Sequence, residues 1–381
     1  VENTPTPHPD GLIGPHGVLL HPGAPKAATT AIQSCLAAIR QQLWDDGLVY
    51  PGTELNHIAA SRAALGMPNI PHEAAKDARK WANLQRTVQR HEGRAIVSSE
   101  LLAVCSDEKA ATVVAALGGE RVHVVLTLRS LASVLPSAWQ ESVKAGNREP
   151  FGRFVEEVLA KGGTAGRDVG GRFWTVHQQA RFVRRWADVV GPEKVTVLPL
   201  DPTRPDAVFT AFESLIGLRP GTLDPRLATH ANRSLTWAEA EAVRSFNTLV
   251  EMPGEFENVG EMLAPQVVSI LVESRHPPAD EPKATLSAAE VGRLAALAVP
   301  MVDDIRSAGV RVIGDLDTLL PVVDHSAIVP DEPTNAPFEV TAHLLRSQRE
   351  FVRRSHAAAS ERRTADRQAR RQRRGTAAEG A

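Results

Sequence analysis

The chain has 381 residues, 43% of them hydrophobic, and 43 Lys and Arg against 45 Asp and Glu leave a formal charge of −2. That length buries a large core and fits one α/β domain with appendages, while the near-neutral charge gives no global electrostatic case for nucleic acid. Two cysteines, Cys35 and Cys105, are too few for a disulfide framework or a zinc site, and no apolar run approaches the roughly 18 residues that span a membrane.

Residues 1–15 read as a flexible lead-in rich in Pro, Gly and His, with neither a basic start nor an apolar signal core, so a reduced, cytoplasmic protein is expected. The first predicted strand covers 17–21, where Val18-Leu19-Leu20 has the apolar continuity of a buried parallel strand. It stops at His21-Pro22-Gly23. A helix follows with apolar positions Ile32, Leu36, Ile39 and Leu43. Further strands are predicted at 94–98, 121–128 and 194–200, the last weakened by Pro199. Between them lie amphipathic helices marked by Trp81, Leu84 and Val88 and by Phe182, Val183 and Trp186. This alternation predicts an α/β fold of three layers, a parallel sheet flanked by helices, over 16–325. After about residue 225 the pattern becomes mainly helical, with a loop at 276–282 and one more short strand at 310–313. A linker over 326–340 contains Pro330 to Pro337 and leads into an Arg-rich helical or disordered tail, 341–381.

Between the first strand and its helix lies the segment Gly23-Ala24-Pro25-Lys26-Ala27-Ala28-Thr29-Thr30. Unpaired backbone N–H groups at a helix start, the helix dipole, a lysine and two hydroxyls together suit a phosphate. The spacing differs from G-x-x-x-x-G-K-[ST], in which the hydroxyl beside the lysine holds magnesium. Ala27 stands at that position here. Only the strand ending in Asp201 offers an acid to a metal, which favours a metal-free site. A second anion site is suggested by Arg129, just past the end of the strand 121–128, and by Ser137 eight positions on. Arginine supplies two parallel charge-assisted hydrogen bonds to a phosphate, and a serine adds a neutral one.

The segment 21–30 resembles the 5′-phosphosulfate loop, roughly G-x-P-K-[ST]-G-T-[TS], of sulfotransferases that use 3′-phosphoadenosine 5′-phosphosulfate (PAPS). Arg129 and Ser137 are similar to the 3′-phosphate site of the same family. Weaker likenesses lie at Val97-Ser98-Ser99-Glu100, at the helix Gln179 to Val190 and at Asn232-Arg233-Ser234-Leu235. The likeness spans most of 15–320 and is closest to bacterial members. It implies a nucleotide-kinase-like phosphate-loop fold that binds PAPS as co-substrate without a metal. Gly23, Lys26, Ala27, Ala28, Thr29, Thr30, Arg129 and Ser137 would hold the cofactor. Lys26 would stabilise the leaving oxygen, and His57 or Glu100 would serve as base, with His57 ranked first. His21 would shape the loop. The acceptor would be a hydroxyl, or less readily an amine, of a carbohydrate, glycolipid or small metabolite. A lipid-linked acceptor would suit the Arg-rich tail, which has the charge to meet an anionic membrane at its inner face. Ala28 departs from the usual glycine, and an alanine is tolerated there if its dihedrals are helical. Two other readings stay open: a metal-dependent phosphate-loop kinase, and a non-catalytic binding protein on the same fold.

Overall fold

The computed structural model describes residues 13–67, 71–227, 233–250, 259–324, 329–330 and 339–354. The first half of the chain runs β1 (Val18–His21), α1 (Thr29–Ala38), α2 (Arg40–Asp45), β2 (Leu48–Val49), α3 (Ile58–Leu65), α4 (Pro71–Arg90), β3 (Arg94–Ser98), α5 (Asp107–Leu117), β4 (Val122–Leu128) and α6 (Leu131–Lys144). The second half runs α7 (Phe151–Lys161), α8 (Val169–His177), α9 (Gln179–Val190), β5 (Val195–Pro199), α10 (Ala207–Ile216), α11 (Trp237–Val250), α12 (Val259–Ser274), α13 (Ala288–Ser307) and β6 (Arg311–Val312). A further helix covers 339–354.

The strands form one parallel sheet in the order β2-β3-β1-β4-β5-β6. β1 is central, paired with β3 on one side and β4 on the other, and every residue of β1, β4 and β5 is buried. This burial explains the near-continuous apolar runs, because both faces of a parallel sheet are covered. On one face Leu19, Ile96, Val125 and Leu198 pack with Ile32, Leu36 and Leu43 of α1 and α2 and with Phe209, Phe212 and Leu215 of α10. α9 lies against β4 and β5 and also packs on α5 and α13. The expected α/β class with a helix-flanked parallel sheet is therefore observed.

The chain divides into two units, one from 1–138, 152–230 and 286–329 and the other from 139–151, 231–285 and 330–381. The first holds the sheet. The second is helical and is organised around Glu239, a fully buried carboxylate that accepts from Arg233 (2.7 and 2.8 Å), Arg275 (2.9 Å) and the Thr236 N–H (2.9 Å). Trp139, Phe151 and Trp237 stack edge to face or tilted beside one another in the same unit.

The sequence expects one helix through Leu43, but the structure breaks it at Ile39, where φ is −105°, into α1 and α2. Ile32, Leu36, Ile39 and Leu43 are nonetheless all buried. β2 was not expected. Pro199 ends β5, beyond the reach of β6, which pairs only with Thr196 and Val197; there β5 is an edge on that side, where proline is tolerated. No helix among the described residues is long and apolar enough to cross a membrane. The lead-in up to residue 12, most of the linker and the tail beyond residue 354 lie outside the described residues.

Candidate functional site

The carboxyl ends of β1, β3 and β4 are neighbours in the sheet, so the segments that follow them converge. Such a position, at the reversal of strand order, is where parallel α/β sheets take ligands. The loop after β1 keeps pairing with β4: the Thr127 N–H donates to the Gly23 carbonyl (2.9 Å) and the Ala24 N–H to the Thr127 carbonyl (2.8 Å). Gly23 has φ 105°, and a Cβ there would lie 3.0 Å from the Pro25 nitrogen, so glycine is required. On the other side the Ser99 N–H donates to the His21 carbonyl (3.0 Å).

Beneath the loop lies a buried network of neutral polar groups. His21 Nδ1 meets the Ser98 hydroxyl (2.9 Å), His21 Nε2 meets the Thr127 hydroxyl (3.2 Å), and Gln33 Nε2 donates to the Ser98 hydroxyl (3.0 Å). Burial pushes the His21 imidazole down to about 3, so it stays neutral and acts as a spacer between two hydroxyls. This is the shaping role expected of it. Sequence reasoning named His21 but missed Gln33 and Thr127, whose only signal is their place one turn into α1 and near the end of β4.

Lys26 and Ala28 both adopt left-handed backbone, with φ 66° and 62°. For Ala28 these are not the helical dihedrals under which an alanine is tolerated. Its φ 62°, ψ 9° belong to the region that glycine enters without strain, and an alanine there costs about 1–2 kcal/mol. The turn is sharp enough to start α1 at Thr29, immediately after the lysine loop. α1 has no side-chain cap and no acid in its first turn, so its N-terminal amides and dipole face the loop uncompensated by their own helix. Ala27 is fully buried and contributes packing with backbone, while Thr30 is half-buried and its hydroxyl has no hydrogen bond among the described residues.

The structure brings Glu100 to this loop. It opens a short 3₁₀ turn, Glu100–Val104, directly after β3, and its Oε2 accepts the Thr29 hydroxyl at 2.8 Å. That turn is pinned from α9, because Arg185, buried, donates to the Ala103 carbonyl (3.0 Å) and to Asp107 (2.9 Å). Arg129 follows β4 two residues beyond the pairing of Thr127 with the loop. Its side chain is exposed and has no carboxylate partner among the described residues, unlike an ordinary surface arginine in an ion pair. Its backbone is held, with the carbonyl accepting from Gln179 Nε2 at 2.7 Å. Ser137 lies half-exposed on α6, one turn beyond Ser133 and two beyond Ser130, and its hydroxyl is uncommitted among the described residues.

His57 is not brought to the loop in a usable form. It is 6% exposed; the Ser98 N–H donates to its Nδ1 (3.0 Å) and its Nε2 donates to the Pro51 carbonyl (2.9 Å). Since a carbonyl only accepts, Nε2 carries the hydrogen and the Nδ1 lone pair is taken by the amide. Burial pushes the imidazole down to about 4. Both ring nitrogens of His57 are therefore committed to backbone groups, whereas the Glu100 carboxylate stands beside the loop. A histidine that the sequence did not single out, His177 at the end of α8, is pushed down to about 3 by burial and then by the charge of Lys26. Asp201, two residues beyond β5, accepts from the Thr203 N–H (2.8 Å) and hydroxyl (2.6 Å) and is committed to its own turn.

The fold and site define a parallel α/β protein whose central strand feeds a lysine-bearing loop at a helix start with no side-chain cap, with Arg129, which has no carboxylate partner among the described residues, just past the adjoining strand. Comparison with protein-family models, curated proteins and solved structures finds no match to this chain.

Proposed function

We propose that this chain is a sulfotransferase that moves a sulfuryl group from PAPS to a hydroxyl of a carbohydrate, glycolipid or small-metabolite acceptor. One observation carries the reading. The carboxyl ends of neighbouring strands β1 and β4 present, side by side, the Lys26 loop with the uncapped start of α1 and the exposed Arg129, without a carboxylate partner among the described residues, with Ser137 beyond it. Two anion sites on adjoining strand ends suit a ligand with phosphates at both ends of one ribose. They are more than a single terminal phosphate chain needs.

In the reaction the acceptor oxygen forms a bond to sulfur while the bond from sulfur to the bridging phosphate oxygen breaks. Charge grows on that oxygen, and positioning with electrostatic stabilisation supplies most of the acceleration. Lys26 and the α1 amides neutralise the growing charge. Glu100, beside the loop, takes the acceptor proton. Arg129 and Ser137 hold the 3′-phosphate and so fix the donor.

Calorimetry with 3′,5′-adenosine bisphosphate checks this, with and without magnesium. Binding of one equivalent independent of the metal is expected. Arg129→Ala is expected to weaken it roughly tenfold or more, as loss of a bidentate charge-assisted contact does, and Lys26→Ala to abolish turnover of PAPS. Magnesium-dependent binding of ATP in place of the bisphosphate would turn the assignment to a kinase. Absence of binding to either would leave a non-catalytic protein.

A further inference from the structure

The first turn of α1 lacks a side-chain cap and an acid of its own, yet a carboxylate stands there. Glu100, 71 residues further along the chain, accepts the Thr29 hydroxyl at 2.8 Å. Its placement is built in. The Ser99 N–H ties the end of β3 to the His21 carbonyl (3.0 Å), and a Cβ placed on Gly23 would lie 3.7 Å from the Glu100 Cα. Thr29 is itself 3% exposed, so its hydroxyl has little water to turn to.

A threonine hydroxyl has one hydrogen to give. Spent on Glu100, it is not available to a phosphate oxygen, and a phosphate drawn to the α1 N-terminus meets a negative charge already in place. We infer that the Thr29–Glu100 hydrogen bond is a latch. Glu100 stands in for the anion at the start of α1 while the loop is empty, and donor binding passes the Thr29 hydroxyl from Glu100 to the 5′-phosphate and releases the carboxylate. This rests on the PAPS reading and deepens it. It gives Glu100 two states, hydrogen-bonded to Thr29 while the loop is empty and released from it when a 5′-phosphate is bound.

The two effects on binding have different signatures. The Glu100 charge opposes the ligand, so Glu100→Gln, which keeps an acceptor oxygen for Thr29, is expected to bind 3′,5′-adenosine bisphosphate roughly tenfold more tightly than wild type. The shared hydroxyl couples the two residues. In wild type Thr29→Val loses a phosphate contact but also a bond that the ligand had to break, so the net loss is small. In the Glu100→Ala background the same change loses the phosphate contact outright, and the affinity loss is expected to be several-fold larger. Calorimetry on wild type, Glu100→Gln, Glu100→Ala, Thr29→Val and the Thr29→Val, Glu100→Ala pair reads both. Equal or weaker affinity in Glu100→Gln, or Thr29 losses that are the same in both backgrounds, overturns the latch and leaves the PAPS reading standing. A wild type that does not bind the bisphosphate overturns both.

Discussion

Ala28 is the residue at which the chain departs from what its own backbone asks for. Its φ of 62° is held by the turn that lets α1 begin directly behind Lys26, and an L-residue pays for that conformation with contact between its Cβ and the carbonyl oxygen. Ala28→Gly removes the contact and adds freedom to the unfolded chain, and the first effect exceeds the second. The variant is expected to be more stable by about 0.5–1 kcal/mol, read as a higher urea midpoint with an unchanged slope; an unchanged or lower midpoint would show that the turn is not strained at this residue. At this scale the positions were legible where residue type sets local structure: Lys26 lies on the loop after β1, Thr29 and Thr30 open α1, and Glu100 and Arg129 follow β3 and β4. The sequence failed at His57. A histidine next to a predicted loop reads as a base, but only the fold reveals that the Ser98 amide and the Pro51 carbonyl occupy both ring nitrogens. It also passed over His177, whose closeness to Lys26 comes from the packing of α8 and leaves no local pattern.

The longer strands were legible through their burial. β1, β3, β4 and β5 announce themselves because their continuous apolar runs answer to two covered faces. β2, two residues at the sheet edge, is too short to carry a period. The register of the helices against the site was hidden as well. α8 shows why: at Gly170 it approaches α7 so closely that a Cβ would lie 2.2 Å from the Glu157 carbonyl oxygen. α8 ends at His177, and Gln179, which opens α9, holds the Arg129 carbonyl. A methyl group at Gly170 therefore has to move α8, and the shift reaches the strand end that carries Arg129. Gly170→Ala is expected to cost about 1–3 kcal/mol, as overpacking does, and to weaken bisphosphate affinity as well as stability. Chemical denaturation and calorimetry on one preparation test the pair of effects. A loss of stability with affinity untouched would mean that α8 is not part of the support for Arg129.

Taken over the whole molecule, the same burial that builds the sheet stores a dependence on pH. Four histidines, His21, His57, His123 and His177, lie buried in the unit that carries the sheet. Desolvation pushes them down to about 3, 4, 4 and 3 respectively, with Arg311 and Lys194 adding to the effect at His123 and Lys26 at His177. In the unfolded chain each titrates near 6.5. As the pH falls below that value the unfolded state takes up protons that the folded state refuses, so stability drops, and it goes on dropping until the folded values near 3–4 are reached. Above pH 7 these groups contribute no slope. Between pH 6 and 5 each is expected to cost about 1.2 kcal/mol, well before ordinary carboxylates titrate. Urea midpoints at pH 7.5, 6 and 5 should therefore fall over both intervals, and about twice as steeply per pH unit over the last. His123 offers the cleanest control, because its one hydrogen bond is to the Thr196 hydroxyl at 2.8 Å, which a glutamine amide can replace. His123→Gln should lower the acid slope by one proton while leaving bisphosphate affinity at pH 7.5 unchanged. Midpoints that hold level from pH 7.5 to 5 would mean that the imidazoles are protonated in place, and the neutral network under the loop would have to be drawn again with a charge at its centre.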